Sequence, residues 1–182
     1  MSILTKSQFS TVAQQKAGYK GLSGVLNENK QFSRETQLTS IFLSHSHTDK
    51  DLVEQAVSFF RNFGITVYVD WADITMPESP NGETAKKIKA QIILNDKFVL
   101  LGTNAAIASK WCNWEVGIGD TYKLSNKKIA ILPLADNSGT WNGNEYLQIY
   151  PRIEQGNTNK GDYFVWYPDG TLENITEWLK RK

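Results

Sequence analysis

Cysteine is almost missing from this chain. The single Cys112 has no partner for an internal disulfide, which excludes a disulfide-stapled scaffold. Histidine is nearly as scarce: His45 and His47 are the two imidazoles available, too few beside one thiol for a zinc set, so no metal site is expected. An excess of charge is missing too. Lys and Arg number 20 against 19 Asp and Glu, a net charge of +1, so the chain carries no sequence signature of a polyanion surface and nucleic acid is not an expected partner. No apolar run approaches the roughly 18 residues of a membrane span, and Met1 to Ser10 lacks the apolar core of a signal peptide. The expectation is a cytoplasmic protein with no membrane partner. Cys112 as a nucleophile is disfavoured because both histidines lie far from it in sequence. A cysteine in an apolar helix is more commonly a small core residue.

What is present is an ordinary globular composition, 182 residues with 40% hydrophobic and 21% charged, enough for one domain with an added segment. Residues 1–38 are polar and read as an N-terminal extension, with 39–182 as the domain. Gly18, Gly21 and Gly24 have no preceding strand and no following Lys-Ser/Thr pair, so they read as loop punctuation rather than a phosphate loop. From Thr39 the pattern alternates. Strands are predicted at Thr39 to Ser44, Ile65 to Asp70, Phe98 to Leu101, Lys128 to Leu134 and Asp162 to Tyr167. A helix capped by Thr48, with Asp51 three residues on, follows the first strand and ends at Gly64. A second helix turns Ala85, Ile88, Ile92 and Ile93 inward, a third is capped near Thr103 or Asn104, and a short one runs through Leu172, Ile175, Trp178 and Leu179. Residues 135–161 read as irregular. Such alternation predicts an α/β fold, a doubly wound parallel sheet with its ligand site at the carboxyl ends of the strands. Ser44 to His47, the two-proline loop Trp71 to Gly82, and Thr103 to Asn104 then share one rim.

The stretch from Lys110 to Gly119 holds the most informative residue. Ile107, Trp111, Trp114, Ile118 and Tyr122 recur at steps of four and three, predicting one buried helix face. Glu115 falls beside it. Two readings stand for this acid: a rim carboxylate reaching water, or a buried one whose desolvation is offset by a partner or a ligand. Gly117 and Gly119 each cost about 1 kcal/mol in a helix interior, which suggests a close approach by another backbone or a ligand.

Ile41-Phe42-Leu43-Ser44-His45-Ser46 with the Asp49-Lys50-Asp51 helix start, Val67-Tyr68-Val69-Asp70 leading into the long loop, and Trp111-Cys112-Asn113-Trp114-Glu115 together resemble a Toll/interleukin-1 receptor (TIR) domain of the bacterial type. The long loop looks like that family's BB loop, and Trp111 with Glu115 fits its Trp-x-x-x-Glu pattern. The resemblance begins near Thr39 and carries nothing onto the N-terminal segment or 135–161. It implies a flavodoxin-like sheet and an enzyme of anti-phage defence that cleaves NAD⁺ between nicotinamide and ribose. The product would be ADP-ribose or a cyclic ADP-ribose signal read by an effector protein. The resemblance makes Glu115 the catalytic residue. Ser44, His45, Trp71, Trp111 and Trp114 are the candidate substrate-binding residues. NAD⁺ is substrate, no cofactor is expected, and self-association with other TIR subunits is. The competing readings are a non-catalytic TIR interaction module and an enzyme like the nucleoside deoxyribosyltransferases.

Overall fold

The computed structural model describes residues 2–17, 39–77, 79–157, 159 and 161–181. Gly18, Gly21 and Gly24, the rest of 18–38 and Glu78 of the long loop lie outside them. The strands are β1 (Leu4–Thr5), β2 (Ser40–Ser44), β3 (Thr66–Tyr68), β4 (Lys97–Gly102), β5 (Ile129–Ala135), β6 (Arg152–Gln155), β7 (Tyr163–Trp166) and β8 (Leu172–Asn174). The helices are α1 (Lys6–Ala17), α2 (Lys50–Arg61), α3 (Gly82–Leu94), α4 (Asn104–Ala108), α5 (Lys110–Lys123) and α6 (Ile175–Lys180).

The sheet runs β3-β2-β4-β5-β6-β7-β8, parallel from β3 to β6 and antiparallel from β6 to β8. Its first five strands have the flavodoxin-type order, which places a topological switch between β2 and β4. Strand residues Ile41 and Leu43, Val99 and Leu101, and Ala130 and Leu132 pack with Phe59, Phe60 and Trp178 on one side. Phe42, Phe98, Leu100, Ile129 and Ile131 pack with Ile88, Ile92, Cys112 and Val116 on the other. That period-two division between faces is what a doubly covered sheet requires. Among the described residues no helix is long and apolar enough to cross a membrane.

Several elements differ from the sequence expectations. Ser46, not Thr48, caps the turn after β2, accepting from the Thr48 amide at 3.4 Å, and Asp49 precedes α2 with its carboxylate turned elsewhere. Ile93 is 40% exposed, and the buried positions of α3 are Ile88 and Ile92. Residues 135–161 are not wholly irregular: β6 pairs parallel to β5 through Ile131 and Arg152. Leu172 lies exposed in β8 before α6 begins. Residues 2–17 of the N-terminal segment join the sheet and its core. Leu4 and Thr5 pair with Leu134 and Ala135, while Phe9 and Ala13 of α1 are fully buried, Phe9 against Phe59.

The largest departure concerns the expected buried face of the Glu115 helix. Two helices occupy this stretch, α4 capped by Thr103 and α5 capped by Ser109, so the periodicity from Ile107 does not belong to one helix. The inward face of α5 is Cys112, Glu115, Val116, Gly119 and Lys123. Trp111, Trp114 and Tyr122 are exposed by 36%, 39% and 44%. Small residues face the sheet because the helix lies close to it: a Cβ on Gly119 would sit 3.0 Å from the Phe98 ring. Gly117, by contrast, has open space around it.

Candidate active site

β2 and β4 end side by side at the switch. β2 delivers Ser44 as its last residue, and β4 ends at Gly102, where the Thr103 hydroxyl caps α4 through the Ala106 amide. A short break at Ser109 re-aims the chain, and α5 brings Glu115 back beneath the end of β2. The Ser44 hydroxyl donates to Glu115 Oε2 at 2.5 Å. Both residues are buried, Glu115 to 5% exposure.

Burial pushes the Glu115 carboxyl up to about 8. The Ser44 hydrogen bond pulls in the other direction, and the charge of Asp70 adds to the rise. Asp70 lies just beyond β3 and accepts from the Trp71 amide at 2.8 Å. Sequence reasoning placed it at a strand end and gave it no role. Its only signal was position, an acid closing an apolar strand on the rim where ligands bind. The reading of Glu115 as a rim acid with its head in water is set aside by this geometry.

His45 is buried next to Ser44. Its Nδ1–H donates to the Leu43 carbonyl at 3.0 Å, which turns Nε2 toward Asp70 Oδ1 at 3.5 Å. That Nε2 is buried without a hydrogen-bond partner among the described residues, an unused hydrogen-bonding position in the cluster. Ser44, His45, Asp70 and Glu115 are therefore brought together. Trp71 stands at the edge, 38% exposed, its backbone fastened to Asp70. Trp111 and Trp114 meet edge to face at 5.4 Å and are 36% and 39% exposed, on the same helix as Glu115. His47 lies exposed in the turn after β2.

The long loop is anchored at its start. Asp73 accepts from Tyr68 Oη at 2.8 Å and from the Thr75 amide and hydroxyl at 2.9 and 2.8 Å. Asn81 and Thr84 form a capping box that begins α3. Between them Ile74 stands 89% exposed. Behind the site Asp49 is buried, accepting from Thr103 Oγ1 at 2.5 Å and pairing with Lys6 of α1 at 3.4 Å. That network ties the loop after β2 to the loop after β4. Cys112 is buried and its thiol is pushed up to about 11 by desolvation, so it is protonated at neutral pH and a poor nucleophile.

Chemically the cluster is a buried acidic recess: one carboxyl held by one hydroxyl, a second carboxylate near it, and an imidazole nitrogen 3.5 Å from that carboxylate without a hydrogen bond. It suits a cation, either bound or developing. A cavity of about 380 Å³ elsewhere is lined by Trp141, Leu147, Arg152 and Trp166 among others and contains none of these groups. The raised carboxyl of Glu115 and the buried Nε2 of His45 lie in the recess at the strand ends and not in that cavity.

A family profile described as "TIR domain" matches residues 41–155. A protein of Bacillus cereus (strain MSX-D12) named "Probable 3′ cyclic ADP-D-ribose synthase" is 27% identical over 154 residues, 81% of this chain and 78% of that protein. A Cytobacillus dafuensis protein named "Putative cyclic ADP-D-ribose synthase" is 25% identical over 101 residues, 54% of this chain and 26% of its own length.

Proposed function

The chain belongs to the TIR domain family, and from that premise we propose that it is an NAD⁺-processing enzyme of anti-phage defence, breaking the bond between nicotinamide and ribose. The observation that carries this reading is the buried Glu115 carboxyl, held by Ser44 at the switch point of the sheet. Ordinary glycosidases employ two carboxyl groups because a departing alkoxide has to be protonated. Nicotinamide leaves differently. The C–N bond electrons return to the ring nitrogen and quench the pyridinium, so the leaving group departs neutral and needs no acid.

The ribose left behind is an oxocarbenium cation, and ionised Glu115 is the group to stabilise it. Asp70 adds negative potential, and His45 Nε2 offers a hydrogen bond to a ribose hydroxyl or the carboxamide. Trp71 at the rim supplies a flat surface for an aromatic ring. Capture of the cation by water gives ADP-ribose. Capture by a hydroxyl of the same molecule gives a cyclic product, and in either case the nucleophile releases one proton. The names of the relatives favour the cyclic outcome. Trp111 and Trp114 serve at most the outer edge of the pocket, and the exposed Ile74 of the long loop is the contact for a neighbouring TIR subunit.

The test is to incubate the protein with NAD⁺ at two concentrations well apart and to separate nicotinamide and ribosyl products by chromatography and mass. Glu115→Gln is run alongside, with circular dichroism to check the fold. The expected result is nicotinamide release, specific activity rising with protein concentration, and at least a hundredfold loss in folded Glu115→Gln. A folded variant with full activity removes Glu115 from the mechanism. Concentration-independent activity removes self-association, and no release even with extract of infected cells returns the chain to a non-catalytic interaction module.

A further inference from the structure

Residues 135–161, onto which the family resemblance carries no role, build most of the 380 Å³ cavity described above. Its walls are aromatic and fixed. The Trp141 indole donates Nε1–H to the Gly102 carbonyl at 2.6 Å, and Gly143 leaves room for the ring, since a Cβ there would lie 2.6 Å from it. Tyr150 is bonded to Asp120 of α5, and Tyr167 donates to Glu173 at 2.5 Å. Opposite these, the Arg152 guanidinium stacks on the Trp166 ring at 4.6 Å. Its Nε lies 3.0 Å from the buried Glu154, and its Nη edge has no protein partner among the described residues. Asn144 and Gln148, two residues with side-chain amides, belong to the same lining.

Rigid rings, two amides and one stacked arginine are a combination with a recognisable use. Aromatic and guanidinium planes stack on nucleobases. Amides read base edges. An arginine fork pairs with phosphate oxygens. A volume of this order is typical of a small-molecule pocket. We propose that this cavity is a second ligand site, taking a mononucleotide whose base lies among Trp141, Tyr150 and Trp166. The phosphate meets the Nη edge of Arg152, and Asn144 and Gln148 address the base edge. The site shares no residue with the Glu115 cluster and does not depend on its chemistry.

The probe is AMP, titrated into the full chain carrying Glu115→Gln, with tryptophan fluorescence and calorimetry as readouts and adenosine and inorganic phosphate as separate arms. The expected result is saturable one-to-one binding with tryptophan quenching, weakened at least tenfold by Arg152→Gln. Exposed Gln148 replaced by Trp fills the hollow from its rim, and this variant is expected to abolish binding even where Arg152→Gln proves unstable. Adenosine and phosphate are each expected to bind more weakly than AMP. Absence of saturable binding overturns the site, as does AMP binding indifferent to both cavity variants or lost on Ser44→Ala. Phosphate binding as tight as AMP overturns the role given to the aromatic walls.

Discussion

At neutral pH a carboxyl raised to about 8 is held mostly as the acid, so Glu115 waits in the form that a cation-generating step cannot use. A substrate that carries its own positive charge resolves this, because a cation in the recess favours the ionised carboxylate and draws the proton off as it binds. The free enzyme should therefore show its titration in kcat/KM. Activity rises tenfold per pH unit below about 8 and levels above it, since deprotonation makes the active form. Asp70 helps to hold the carboxyl up, so Asp70→Asn moves that limb to lower pH. NAD⁺ turnover measured from pH 5.5 to 9.5 for both proteins checks the sign, and a limb that stays in place excludes Asp70 from the site's electrostatics. Ser44 has the opposite influence: its hydroxyl already favours the ionised carboxylate in the empty site.

At the scale of elements, α5 is defined by what it leaves out. Gly119 lets the helix rest on the Phe98 ring, and the depth at which Glu115 reaches Ser44 depends on that closeness. Gly119→Ala has to push helix and strand apart. The expected cost is about 1–3 kcal/mol in urea unfolding, with a fall in kcat/KM as the Ser44 contact lengthens. Gly117→Ala, with nothing near its new methyl, should instead gain about 1 kcal/mol and leave activity unchanged. Equal effects at the two positions would disprove the close-approach account.

The same helix marks how far the sequence was legible. The alternation of apolar strands and amphipathic helices declared the α/β order, Ser44 was visible on the carboxyl rim, and Glu115 was visible as a lone acid on an apolar helix. Which face of α5 turned inward was not. The aromatic stripe looked like a core face, yet the sheet lay too near to admit indoles, and that depends on Phe98 across the interface rather than on the helix's own spacing. Asp70 was similarly hidden, because its influence on Glu115 arises from a strand end and a helix meeting in space. β6, four residues long and followed by an antiparallel hairpin, has too short a pattern to stand out from its polar surroundings.

Across the whole molecule, the N-terminal segment turns out to brace the site from behind. Phe9 fills the core against Phe59, and Lys6 reaches Asp49, which in turn holds Thr103. Phe9→Ala is expected to destabilise the protein by about 3–5 kcal/mol, and Lys6→Ala by less than 1 kcal/mol, as chemical denaturation would measure. A small cost for Phe9→Ala would mean that α1 is only loosely docked. The pairing of Leu4 with Leu134 and of Thr5 with Ala135 also carries a sense of time. On the ribosome β1 emerges early and must wait for a partner strand encoded 130 positions later. Only when β5 has cleared the exit tunnel can β1 take its place in the sheet and fix the start of α1 behind the loops around Ser44. The brace behind the proposed NAD⁺ site is therefore completed only after β5 has been made, and not when β1 and α1 first emerge.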